Sequence, residues 1–123
     1  MFAIAVEAGF HAQHHIRFAD GATEDAHAHD WRVRVFIRRA RLDSLGMVAD
    51  FDHVRDVLQS VVQPLEGADL NVHPALHGLN PTAEVVAKRI YDGLLELGLA
   101  DLQRVEVTEA PGCVAIFDAG ALG

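Results

Sequence analysis

The chain has 123 residues, 50% of them apolar and 23% charged, a composition that builds a buried core and lies away from disordered chains, at a length that predicts one domain over residues 1–123. Eighteen Asp and Glu against ten Lys and Arg give a formal charge of -8, which argues against nucleic acid or an anionic membrane as the partner. No apolar run approaches the roughly 20 residues that span a bilayer, the lone Cys113 has no internal disulfide partner, and the first residues lack a signal peptide's basic start and cleavage site, so a soluble cytoplasmic protein is expected.

In chain order, Met1 to Phe10 carries short, branched and aromatic residues without helical spacing and reads as a strand. Gly9 to Asp30 holds five of the eight histidines, several acids and the Asp20-Gly21 turn signal, and reads as a long loop or bent hairpin tip. Trp31 to Leu42 alternates, with Trp31, Val33, Val35 and Ile37 on one side, the pattern of a half-buried strand. After a turn at Ser44 to Gly46, the spacing of Phe51, Val54, Val57, Leu58, Val61 and Val62 predicts an amphipathic helix over Phe51 to Val62 with Asp50 as N-cap. The polar stretch from Glu66 through Asn71 to Asn80 is a candidate functional loop. Asn80-Pro81-Thr82 opens a second helix striped by Val86, Ile90, Leu94 and Leu97 and stopped by Gly98. Leu102 to Thr108 and Cys113 to Phe117 form a hairpin around Ala110-Pro111-Gly112. The predicted order is ββααββ, an α+β protein.

His27 and His29 stand two apart beside a strand, so an extended backbone sends both imidazoles to one face, and His14 can add a third from the preceding strand end. Three neutral imidazoles with one open position are a catalytic zinc arrangement. By spacing alone, two such histidines are more often solvated loop residues. Glu24 and Asp25 precede the pair and offer a general base or a partner that fixes an imidazole tautomer, while Glu109 in VTEAPG can accept two hydrogen bonds from an amidine-like edge of a heterocycle. The plainer reading of Glu24 and Asp25 is a solvated acidic turn, favoured for Asp25, and that of Glu109 is an ordinary strand-end acid beside a turn. His11, His15 and His53 are expected at the surface, His73 and His77 are either solvated or catalytic, and Cys113 is expected as a buried small strand residue. Arg32, Arg34, Arg38, Arg39 and Arg41 read as the solvated face of a strand, with one or two available to a substrate phosphate across a subunit boundary.

Taken in order, FHAQH (Phe10 to His14), HAHDW (His27 to Trp31), GMVADF (Gly46 to Phe51), Leu70-Asn71, NPTAE (Asn80 to Glu84) and VTE (Val107 to Glu109) resemble the 6-pyruvoyl-tetrahydropterin synthase and 6-carboxytetrahydropterin synthase family over nearly the whole chain. The resemblance implies the tunnelling fold, a four-stranded antiparallel sheet with two helices on one face. It further implies sheets joined into barrels, as trimers stacked into hexamers, with active sites between subunits. By position, His14, His27 and His29 resemble the zinc ligands and Glu109 the pterin anchor, and the implied substrate is a dihydropterin, typically 7,8-dihydroneopterin triphosphate.

Three departures matter. Thr23 stands where the family's catalytic cysteine lies, Glu66 and Gly67 stand at its Asp-His relay pair, and Ala28 replaces the glycine between the paired histidines. Glu24 resembles the glutamate of a variant branch that lacks the cysteine and cleaves dihydroneopterin to a 6-hydroxymethyl product for folate synthesis. Glu24 is therefore the foremost candidate base, and Glu66, Asp69, His73 and His77 are candidates for the lost relay. The resemblance thus implies a zinc-dependent pterin side-chain lyase serving folate or queuosine synthesis. Losing two catalytic positions together keeps open a catalytically impaired relative that retains zinc and the fold, either binding pterin or acting as an interaction protein.

Overall fold

The computed structural model describes residues 1–120. Strands β1 (Phe2–His14), β2 (His27–Arg39), β3 (Leu102–Ala110) and β4 (Cys113–Asp118) form one antiparallel sheet in the order β1-β2-β3-β4. Helices α1 (Phe51–Val62) and α2 (Ala83–Glu96) come between β2 and β3. This is the expected ββααββ order.

Alternation fixes which face is buried. Val6, Ala8, Phe10, Ala12 and His14 of β1 face inward with Trp31, Val33, Val35 and Ile37 of β2 and Val105 and Val107 of β3. Both helices lie on that face: α1 inserts Val54, Leu58 and Val62, and α2 inserts Ala83, Val86, Ala87, Ile90 and Leu94. Each buried branched or aromatic side chain contributes roughly 1.5–3 kcal/mol relative to exposure, so this two-layer core dominates the stability. Phe51, expected on the apolar stripe, is 52% exposed, because the stripe begins one turn later at Val54. Asp50 caps α1 by accepting from the Asp52 N–H at 2.9 Å, and Thr82 caps α2 by accepting from the Val85 N–H at 3.1 Å.

The opposite face carries charge. Glu7 lies 3.4 Å from Arg34, and the Phe36 ring sits between the Arg34 and Arg104 guanidinium groups, 5.3 and 4.7 Å from its centroid. Arg39 departs from the expected solvated row, reaching the Val48 carbonyl at 3.3 Å and Asp101 at 3.5 Å.

The first hairpin is longer than the sequence pattern indicated. β1 continues past Phe10 to His14 and β2 starts at His27 rather than Trp31, with His14 directly opposite His27. The alternation persists through Ala12 and His14 on one strand and His29 on the other, and polar residues at inward positions had disguised it as loop. This extension lifts three histidines onto the sheet.

Candidate active site

The inward row of β1 and β2 ends in imidazoles. One ring nitrogen from each of His14, His27 and His29 falls in a cluster whose ligand atoms all lie within 4.8 Å of one another. Trp31 forms its floor, with its ring 4.9 Å from His14 and 5.7 Å from His29, both edge-on, and its Nε1–H donating to the Ala12 carbonyl at 3.1 Å.

The backbone sets the tautomers. His14 Nδ1 lies 2.8 Å from the Pro81 carbonyl and His27 Nδ1 lies 2.9 Å from the Asp25 carbonyl. A carbonyl only accepts, so both Nδ1 atoms carry the proton and both Nε2 atoms of the neutral rings present lone pairs. Those two Nε2 atoms are 3.1 Å apart. His29 Nε2 is buried without a hydrogen-bond partner among the described residues, and burial, the largest influence on it, holds its pKa below the usual histidine value. Two lone pairs therefore converge, and the unpartnered His29 Nε2 lies in the same cluster. A divalent cation is what this donor set fits, and outer partners on the Nδ1 atoms are the usual support of metal-bound imidazoles.

Two carboxylates flank the cluster. Glu109 Oε1 lies 3.0 Å from His14 Nε2 and 3.9 Å from His29 Nε2. It belongs to the inward row of β3, two residues beyond Val107, where the ladder to β4 shifts register between Thr108 and Ala110. Such an irregularity turns a side chain toward a site. Glu109 also lines a cavity of about 300 Å³ with Ala83, Glu84, Cys113, Val114 and Ala115. Cys113 is exposed in that cavity wall rather than buried as expected, because it starts β4 directly after the Pro111-Gly112 turn, where Gly112 has φ +82°.

Glu24 Oε1 lies 3.6 Å from His27 Nε2 and accepts the Ile16 N–H at 2.9 Å, while the Glu24 N–H donates to the Ile16 carbonyl at 3.1 Å. The segment between β1 and β2 is itself held by two asparagines, a clamp that sequence reasoning does not reveal. Asn71 accepts the His15 N–H at 2.8 Å and donates to the His15 carbonyl at 2.9 Å. Asn80 does the same to Arg17, at 2.9 and 3.0 Å. Each carboxamide thus mimics a neighbouring strand. Their presence in the Leu70-Asn71 and Asn80-Pro81 motifs was the available signal, but the partners are more than 50 residues away in sequence.

Glu66 and His73 are not brought to the cluster. Glu66 accepts the His11 N–H at 2.8 Å, beside an exposed pair in which His11 Nδ1 lies 2.8 Å from Asp30. His73 accepts the Ala75 N–H with Nδ1 and donates from Nε2 to the Pro64 carbonyl, each at 3.1 Å, so both nitrogens hold backbone. Gly67 donates to the His11 carbonyl at 2.7 Å with φ +72°, a backbone conformation that disfavours an imidazole-bearing residue at that position. Among the other histidines, His11 and His53 are exposed as expected, His15 is half-buried, and His77 is exposed with φ +51°.

Residues 3–120 match the model of the family described as 6-pyruvoyl tetrahydropterin synthase. The chain belongs to the 6-pyruvoyl tetrahydropterin synthase family. Members of this family are pterin side-chain lyases. The chain is 33% identical over 116 residues to the 6-carboxy-5,6,7,8-tetrahydropterin synthase of Synechocystis, covering 89% of this chain and 87% of that protein. The fold is that of Caenorhabditis elegans 6-pyruvoyl tetrahydropterin synthase, with a TM-score of 0.85 at 17% identity over 97% of this chain and 96% of that one. It is also similar to the Plasmodium vivax 6-pyruvoyltetrahydropterin synthase, solved with a catalytic glutamate replaced by alanine or by cysteine, at TM-score 0.71 and 16% identity over 94% of this chain and 96% of that one. In this family fold no helix among the described residues is long and apolar enough to cross a membrane.

Proposed function

We propose that this chain is a zinc-dependent lyase acting on the side chain of 7,8-dihydroneopterin or its triphosphate. The observation that carries the reading is the place of Glu109, which lines a cavity on one side and meets the imidazole cluster on the other. A pterin ring held in that cavity through its amidine-like N–H edge by the Glu109 carboxylate extends its side chain toward His14, His27 and His29.

Zinc held by those three imidazoles supplies Lewis acidity to the side-chain oxygens and acidifies the neighbouring C–H and O–H bonds. Glu24 is the base that takes the proton. Its Oε1 keeps one backbone N–H partner and stands beside His27, and as a carboxylate it both accepts and returns a proton over the side chain. Glutamate as a catalytic residue in the Plasmodium vivax relative supports this role where Thr23 leaves no thiol. Glu66 and His73, engaged with backbone within the chain, shape the loop that holds Asn71 rather than transfer protons at this cluster.

The chain acts as a cytoplasmic homo-oligomer, a trimer or hexamer, of single-domain subunits. The open edges of β1 and β4 are the elements that join one copy to the next. A 6-carboxytetrahydropterin synthase reaction is the second reading, favoured by the Synechocystis relative and opposed by Thr23.

The test is to incubate the zinc-loaded protein separately with dihydroneopterin and with its triphosphate and identify the pterin products by mass spectrometry. A 6-hydroxymethyl product is expected. A 6-carboxy or 6-pyruvoyl product reassigns the branch, and unchanged substrate with binding demonstrated refutes turnover and leaves a pterin-binding relative.

A further inference from the structure

Glu109 has a second relation to the cluster that pterin anchoring does not require. His14 Nδ1–H is committed to the Pro81 carbonyl, so the 3.0 Å contact between His14 Nε2 and Glu109 Oε1 sets one acceptor against another. A hydrogen bond there would need a second proton on a fully buried imidazole. His29 Nε2, buried and without a hydrogen-bond partner among the described residues, faces the same oxygen at 3.9 Å. No N–H or O–H donor among the described residues meets the Glu109 carboxylate.

The contrast with Glu24 is informative. Glu24 Oε1 is satisfied by the Ile16 N–H and stands 3.6 Å from His27 alone. Glu109 Oε1 is aimed at two of the three nitrogens and has no other polar partner among the described residues. In a tetrahedral zinc site with metal-ligand bonds of about 2.0–2.1 Å, neighbouring donor atoms lie about 3.3–3.4 Å apart. The separations of 3.1 Å between His14 and His27, 3.0 Å between His14 and Glu109 and 3.9 Å between His29 and Glu109 bracket that edge.

We infer that Glu109 is a displaceable fourth ligand, closing the metal's coordination while the cavity is empty and leaving it when a pterin ring offers N–H donors. Resting on the proposed pterin site, this gives the carboxylate two exclusive partners, the cation or the ring. The position on which the substrate's side-chain oxygen docks then opens only after the ring is seated. Such coupling ties the Lewis acid to the correct substrate and withholds it from water and from stray hydroxyl compounds.

Cobalt(II) substitution tests this without reference to activity. Stoichiometric cobalt on the unaltered chain is expected to give the visible spectrum of a three-nitrogen, one-carboxylate site. Glu109→Gln is expected to bind zinc and cobalt at least tenfold more weakly and to change that spectrum, with circular dichroism unaltered. Unsubstituted pterin, which has the ring edge but no side-chain hydroxyls, is expected to move the wild-type spectrum toward that of Glu109→Gln and to leave Glu109→Gln itself unchanged.

Equal metal affinity and identical cobalt spectra for the two proteins overturn the inference while leaving the three-histidine centre intact. A spectrum altered in Glu109→Gln but unmoved by saturating pterin overturns the release step. Absence of stoichiometric cobalt from the unaltered chain, with His27→Ala no weaker, overturns the metal reading on which the proposed function stands.

Discussion

Replacing Asn71 by alanine tests how the site is held. The Asn71 carboxamide clamps the backbone of His15 through bonds of 2.8 and 2.9 Å, and the next residue, Ile16, holds Glu24. Two hydrogen bonds at about 0.5–1.5 kcal/mol each give a loss of roughly 1–3 kcal/mol, since both clamped groups are part-buried and water compensates incompletely. For a chain of this size about 1 kcal/mol moves the unfolding midpoint by roughly 4 °C, so Asn71→Ala should lower it by about 4–12 °C in a calorimetric or circular-dichroism melt. Asn71→Asp supplies a control of nearly the same shape. It still accepts the His15 N–H but sets a carboxylate oxygen against the His15 carbonyl, and should not restore the lost stability. With zinc content held constant, both variants should lower kcat more than they raise KM, because the base is displaced while the cavity is not. A midpoint shift below about 1 °C for Asn71→Ala, or an aspartate variant as stable as the parent, would refute the clamp.

His27→Ala should abolish stoichiometric zinc by removing one of three convergent nitrogens, and full zinc content by elemental analysis would overturn the ligand set. Thr82→Ala removes the cap bond to Val85 and should cost about 1 kcal/mol, or roughly 4 °C in the melt; an unchanged midpoint would remove the cap from the account. Burial holds the His29 pKa below its ordinary value of 6.5, so between the two values the unfolded chain binds a proton that the folded chain resists. Stability of the metal-free protein should therefore fall as the pH drops through about 6.5 and below, and less steeply in His29→Gln. Parallel melting curves for the two proteins from pH 8 to pH 5 would contradict that sign.

Helices and turns were the most legible parts of the sequence. Asp50, Thr82 and Pro111-Gly112 act locally, and the signals they carry are short range. The ends of β1 and β2 are hidden in the sequence because the inward positions there hold histidines, which break the apolar alternation while keeping its period. A pattern based on hydrophobicity misses inward-facing residues of this kind. Motif order pointed to His14, His27, His29, Glu24 and Glu109, and the structure brings all five together. Glu66 stands at the family's relay position and His73 a few residues on, and within one chain both meet backbone partners instead of the cluster. The tautomers were beyond reach, since they depend on the Pro81 and Asp25 carbonyls, which side-chain identity does not announce. Cys113 reads as a core residue by type, yet β4 is an edge strand and its first residue opens onto the cavity.

The central claim is that Glu24 moves the proton at a zinc centre whose substrate is anchored elsewhere. The most direct measurement is single-turnover conversion of dihydroneopterin by the zinc-loaded chain and by Glu24→Gln, with zinc content and pterin affinity determined on the same samples. The unaltered chain should give product, and Glu24→Gln should turn over at least a hundredfold more slowly, with both zinc and pterin retained. Equal rates would contradict it and move the base to another group.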